Sequence, residues 1–170
     1  MTNWRIGPIN GALLAAYFIP VWGAIAYNIM FAPVHALYAQ PNISAALFAS
    51  DHLHVAGMNL VRLAWLLALG RFAMIAFLAV FLVLLCWPST RKNGACDEAL
   101  ALALGIGSLI SFACMVMASQ VGESSALRLH ATELLMMLGA AILLVFQGPA
   151  QTTVAASDVA LREPQLADNR

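Results

Sequence analysis

Four long apolar runs dominate the chain. They cover residues 11–32, 63–87, 99–121 and 129–146. Only Arg71 and Glu133 place a charge inside them. A bilayer core about 30 Å thick is crossed by about 20 apolar residues in a helix, whereas a barrel strand needs about half as many. The pattern therefore predicts an all-α integral membrane protein whose residues 1–147 form a bundle of four transmembrane helices. The expected spans are about 11–33, 60–87, 99–121 and 126–147, followed by a flexible cytoplasmic tail at 148–170.

Composition narrows the functional class. The chain of 170 residues is 62% hydrophobic and 9% charged, with a formal net charge of zero. Soluble proteins carry about 25% charged residues. Without a basic excess the chain cannot neutralise nucleic-acid phosphates, and its hydrophobicity excludes intrinsic disorder. Its three cysteines form no C-x-x-C pair, so neither a disulfide framework nor a thiolate zinc site is expected. The lipid bilayer is the first partner that the sequence predicts.

The distribution of Lys and Arg predicts the orientation. The loops at residues 33–59 and 120–125 contain neither residue, whereas Arg5, Arg91 and Lys92 lie at the opposite helix ends. Because basic residues concentrate in cytoplasmic loops, both termini are expected in the cytoplasm. Together with the compact length of the chain, this favours a bacterial inner (cytoplasmic) membrane.

Two further patterns concern packing. Ala103, Gly107 and Ser111 recur at four-residue spacing in the third span, and such small residues allow helices to approach closely. In the long outer loop, Asn42 and Ser44 follow Pro41 and predict the start of a short helix. A single small bundle has little interior volume, so we expect a homo-oligomer or a subunit of a larger membrane complex.

The two intramembrane charges are candidates for function. A charge inside the bilayer costs at least about 2.5–3.5 kcal/mol, so each should have a partner. Arg71 and Glu133 differ in predicted depth by about one helical turn, which makes a direct ion pair one interpretation. The alternative is that Glu133 donates or accepts a proton beside a cavity. His130 lies three residues before Glu133 and shares its helix face.

All four histidines fall on the predicted outer side, where an imidazole either caps a helix or ligates a metal. His52 and His54 precede the second span. On a continuous helix they point about 200° apart, and His52 then shares a face with Asn59. In an extended segment both would share one face. His130 could supply a second ligand from the fourth helix.

The segment from His52 to Asn59, with His54, Gly57 and Met58 between them, enters a long helix. It resembles the start of the second helix in small four-helix membrane isomerases, the styrene oxide isomerase and hydroxylaminobenzene mutase group. The resemblance implies a haem b held by His52 or His54. It also implies that ferric iron acts as a Lewis acid on an epoxide-like oxygen, with Asn59 as a polar contact to that oxygen.

Two functions follow as hypotheses. The first is a membrane-embedded haem- or metal-dependent enzyme, of isomerase or redox type, that acts on a small lipophilic substrate near the outer face. Its catalytic candidates are Asn59, Glu133 and Arg71, and its cofactor ligands are His52, which would ligate the metal, His54 and His130. The second is a non-enzymatic accessory or assembly subunit of a larger membrane complex.

The bound haem of single alanine variants separates these hypotheses. Loss of a ligating imidazole removes a coordinate bond that packing cannot replace. We therefore expect His52→Ala to abolish the Soret band of the purified protein and His35→Ala to leave it unchanged. If wild type has no bound haem or metal, or if all four histidine variants keep the wild-type content, the ligand hypothesis fails.

Overall fold

The chain forms a four-helix bundle with two short helices at one end. A computed structural model describes residues 6–55, 57–87 and 95–147, and in these ranges it contains six helices and no strand. The helices are α1 (Ile6–Phe31), α2 (Pro33–Leu37), α3 (Ile43–Asp51), α4 (Met58–Cys86), α5 (Ala95–Val121) and α6 (Ser124–Gln147). Four of them are long and apolar enough to cross a membrane, which confirms the predicted fold class. The predicted tail lies outside the described residues.

The buried apolar side chains of the described residues form two clusters, one between the four long helices and one beneath α2 and α3. α5 packs against both α4 and α6, and α1 packs mainly against α4. The small residues predicted to line a helix contact do so, since Ala103, Gly107, Ser111 and Cys114 of α5 are all buried. Small side chains bring the backbones together here, and this close approach places polar groups from several helices within hydrogen-bond reach of one another.

The helices α2 and α3 cover one end of the bundle, and we call them the α2–α3 cap. Pro33 begins α2 at a position where its missing N–H costs nothing. The predicted short helix after Pro41 is confirmed as α3, but the side chain of Asn42 does not cap it. Its amide Nδ2 instead donates to the carbonyl of Ala36 at 2.9 Å. This bond ties the loop before α3 to α2.

The connection from α3 to α4 differs from both conformations considered for it. α3 ends at Asp51 and α4 begins only at Met58. Between them, His54 and Gly57 have positive φ angles of 49° and 60°. The expectation that His52 and Asn59 share a helix face is therefore wrong, because a tight turn interrupts the helix. The extended alternative is wrong as well, since His54 lies in the left-handed region.

Candidate functional site

A cluster of buried polar side chains lies in the bundle interior, and Glu133 of α6 is its centre. The indole Nε1–H of Trp22 donates to Oε1 of Glu133 at 2.9 Å. The hydroxyl of Ser111 donates to Oε2 at 3.3 Å, and Nδ1 of His130 lies 3.0 Å from the same oxygen. Three helices therefore supply hydrogen-bond partners to one carboxyl group that is only 2% exposed.

His130 connects this carboxyl group to the α2–α3 cap. Its Nε2 lies 3.1 Å from the carbonyl oxygen of Pro41. Because a carbonyl oxygen can only accept, Nε2 must carry a hydrogen. One proton then lies between Nδ1 and Glu133, either on the imidazole or on the carboxyl group. In both arrangements the His130–Glu133 pair has a net charge of zero.

Arg71 lies in the same cluster, and no residue in the described ranges forms a direct ion pair with it. It is 1% exposed, and its Nε and Nη1 have no hydrogen-bond partner among the residues that the structure describes. Its Cζ lies 5.6 Å from the centroid of the Trp22 ring, a cation–π distance. Among the described residues, no hydrogen bond or ion pair joins Arg71 to Glu133. The predicted direct ion pair is therefore wrong, since His130, Trp22 and Ser111 surround the carboxyl group.

Two ionisable groups act electrostatically on Arg71, namely Glu133 and the buried thiol of Cys114. A cysteine thiol is ordinarily neutral at pH 7. Since the His130–Glu133 pair is also neutral overall, the guanidinium of Arg71 leaves the cluster with a net charge of about one positive unit. This charge is what a bound partner would have to balance.

Part of this cluster was predictable from the sequence. Arg71, Glu133 and His130 were candidates on sequence grounds, and the structure brings these three together. Trp22, Ser111 and the carbonyl of Pro41 were missed. One signal was available for Trp22, because an indole N–H in the middle of an apolar span needs an acceptor. Ser111 belongs to the stripe of small residues in α5. The spacing of that stripe predicts close helix packing but does not predict the hydrogen bond of the Ser111 hydroxyl.

The other predicted site residues lie elsewhere. Asn59, His52 and His54 are exposed near the turn between α3 and α4. The side chain of Asn59 accepts a hydrogen bond of 3.5 Å from Arg62. The ring of His52 stacks on Phe48, with the ring centroids 4.8 Å apart. The structure therefore does not bring these three residues to the buried cluster.

An apolar groove lies on the outer surface of the bundle and is separate from the cluster. It encloses about 400 Å³. It is lined by Met30, Arg62, Trp65, Leu66, Leu69 and Phe72. Met30 belongs to α1, and the other five residues follow one face of α4, whereas Arg71 lies on the buried face. The groove is part of the surface that lipid would cover.

A metal site built from protein ligands alone needs three or four side chains that meet at one point. Within the three described ranges, no group of three or more His, Cys, Asp or Glu side chains is placed to hold a metal ion. Both nitrogens of His130 are already hydrogen-bonded, so a ligand role would require one of these bonds to break. Haem ligation by His52 or His54 stays a prediction. Comparison of the chain with known protein families, with curated proteins and with solved structures found no match.

Proposed function

We propose that the chain is a membrane-embedded acid–base enzyme of isomerase type that acts on a small lipophilic molecule. The observation that carries this proposal is the 3.0 Å separation between Nδ1 of His130 and Oε2 of Glu133 inside the bundle. Because Nε2 of His130 donates to the carbonyl of Pro41, these two atoms have one proton to share. Ionisable residues within a membrane span are rare and costly, and they commonly mark functional sites. Here two of them share a proton beside a third, Arg71.

The carboxyl group retains the capacity to act on a substrate. A carboxylate offers about four acceptor positions, and three donors face Glu133. One position is left to take a proton from a substrate carbon or oxygen. The same proton can return to a different atom of that molecule, so the reaction balances without a co-reactant. His130 holds the second proton position, and Trp22 and Ser111 fix the orientation of the carboxyl group.

The proposed setting is a bacterial inner membrane with both termini in the cytoplasm and the α2–α3 cap outside. The absence of Lys and Arg from residues 33–59 and 120–125 supports this orientation. We also propose that the chain assembles with itself or with another membrane subunit. In this arrangement the substrate enters from the bilayer, and the α2–α3 cap separates the cluster from the outer solution.

Deuterium exchange tests the proposed function while the identity of the substrate is still open. Purified protein in lipid nanodiscs is incubated in D₂O with a panel of small lipophilic ketones, β,γ-unsaturated ketones and keto carboxylates of similar size. An acid–base isomerase incorporates deuterium into its substrate, which mass spectrometry detects. We expect Glu133→Gln to slow incorporation about 100-fold or more, because the amide cannot take up and return the proton.

The matched control is Glu123→Gln, which makes the same chemical change in the turn before α6. Glu123 receives a hydrogen bond from Ser125 in that turn, outside the cluster, so this variant is expected to exchange deuterium at the wild-type rate. Equal rates for Glu133→Gln and wild type would overturn the proposal. A Soret band that His52→Ala removes would favour the haem enzyme instead. A colourless protein that exchanges no substrate would favour the accessory subunit.

A further inference from the structure

Arg71 belongs to the cluster, but its charge has no part in the proton sharing between His130 and Glu133. Arg71 is 1% exposed, and within the described part of the chain two of its nitrogens, Nε and Nη1, have no hydrogen-bond partner. Buried polar groups in native proteins are nearly always hydrogen-bonded, and a buried cation needs a counter-charge. The stacking of Arg71 on Trp22 supplies some attraction but accepts no hydrogen bond. The unused donors indicate an anionic or strongly accepting oxygen.

An adaptable apolar layer lies one helical turn from the polar cluster. Met74 follows Arg71 on α4, Met137 follows Glu133 on α6, and Gly107 precedes Ser111 on α5. A Cβ atom added at Gly107 would lie 2.5 Å from Sδ of Met137 and 2.8 Å from Cε and Sδ of Met74. Both methionines thus close over the glycine. Because methionine side chains are flexible and polarisable, they can move apart to admit an apolar group.

The depth of Arg71 restricts the source of the anion. Arg71 is 13 residues beyond the first residue of α4, Met58 (71 − 58 = 13). At 1.5 Å per residue this is about 20 Å along the helix, near its middle. A phospholipid headgroup at the membrane surface does not reach this level, and an inorganic ion does not partition into it. An anionic group attached to an apolar molecule can reach this depth, because the apolar part partitions into the bilayer core.

We propose that Arg71 and the methionine layer bind a lipophilic anion, whose charged oxygen faces the guanidinium and whose apolar body lies between Met74 and Met137 at Gly107. A carboxylate, or an enolate formed during turnover, has the required chemistry, since Arg pairs with planar oxyanions through parallel N–H bonds. This inference names the substrate class of the acid–base enzyme proposed above and so rests on that function, but binding rather than turnover tests it.

The test measures binding of radiolabelled decanoate to the protein in nanodiscs of zwitterionic lipid, with empty nanodiscs subtracted. We expect saturable binding of decanoate to wild type. The affinity of Arg71→Met for decanoate should be about 10-fold to 100-fold lower, because this variant loses a charge-assisted contact. The control Arg128→Met removes an exposed arginine from α6 and is expected to bind as wild type does. Methyl decanoate, which has no charge, should not distinguish Arg71→Met from wild type.

A second variant tests the apolar layer without touching Arg71. Gly107→Ala adds one methyl group where only flexible methionine ends must move, so the fold is expected to persist while the decanoate affinity falls about 10-fold. Wild-type affinity in either Gly107→Ala or Arg71→Met would overturn the proposal. Equally strong competition by sodium phosphate would indicate an inorganic anion site, and competition by phosphatidylglycerol in the nanodisc would indicate a headgroup site. Both results would also overturn it.

The two proposals can fail separately. If Glu133→Gln abolishes deuterium exchange but decanoate binding does not depend on Arg71, the acid–base function stands and its substrate is not an anion. If decanoate binding depends on Arg71 but Glu133→Gln exchanges deuterium at the wild-type rate, the anion site stands and the acid–base function falls.

Discussion

Glu133→Leu is expected to lower the free energy of unfolding by about 3–5 kcal/mol. The substitution leaves the indole N–H of Trp22, the hydroxyl of Ser111 and Nδ1 of His130 without their common partner in the bundle interior. Each buried polar group that loses its partner costs about 1–3 kcal/mol, and relaxation of the site recovers part of the sum. Reversible unfolding in mixed micelles, followed by circular dichroism, measures the difference.

Glu133→Gln is the informative control for that loss. Its amide oxygen can accept from Trp22, and its amide N–H can donate to Nδ1 of His130 when Nε2 keeps its hydrogen. We therefore expect a stability within about 1 kcal/mol of wild type. A large loss for Glu133→Gln, equal to that for Glu133→Leu, would contradict this expectation. It would mean that the negative charge of Glu133 itself stabilises the bundle and that the shared proton lies on His130.

The second expected result is a gain in stability. Arg71→Met should raise the free energy of unfolding by about 1–3 kcal/mol in the absence of ligand. An intramembrane cation costs at least about 2.5–3.5 kcal/mol, and stacking on Trp22 returns up to about 2 kcal/mol. Methionine has a similar length, removes the unpartnered Nε and Nη1, and packs well among apolar side chains. The same unfolding measurement detects the gain.

Arg128→Met serves as the matched control for Arg71→Met. Arg128 is exposed on α6, and its replacement is expected to change stability by less than about 0.5 kcal/mol. A loss of stability on Arg71→Met would contradict the conclusion that the charge of Arg71 is uncompensated. It would indicate that Glu133 or Cys114 carries a negative charge opposite Arg71. A gain in stability on Arg71→Met is expected of a residue that serves binding and not folding, because functional groups are often retained at a cost in stability.

The fold was predictable because membrane thickness constrains it so strongly. Four apolar runs of helical length leave few alternatives, since every backbone N–H and C=O within a bilayer must be bonded internally. The stripe from Ala103 to Ser111 also indicated the correct buried face of α5. The turn between α3 and α4 was not predictable. It depends on His54 at a positive φ angle, which is uncommon for residues other than glycine and which no apolar periodicity encodes.

The candidate site was only partly predictable for a related reason. The cost of burying charge identified Arg71 and Glu133 individually, and helical spacing correctly placed His130 beside Glu133. Contacts between helices determine which groups form hydrogen bonds with the carboxylate. Trp22 is 111 residues from Glu133 in the sequence, and the Pro41 carbonyl is 89 residues from His130. These partners depend on the axial register of one helix against another. The pattern of residues within a single helix does not encode that register.

The proton between His130 and Glu133 is tested most directly by ¹⁵N NMR of histidine-labelled protein in nanodiscs. His130→Asn identifies the resonances of His130, and the exposed His35, His52 and His54 serve as internal references. We expect Nε2 of His130 to carry a hydrogen and Nδ1 to show a strong hydrogen bond that Glu133→Gln alters while Nε2 stays unchanged. A bare Nε2, with the hydrogen on Nδ1 alone, would contradict the shared proton and the site built on it.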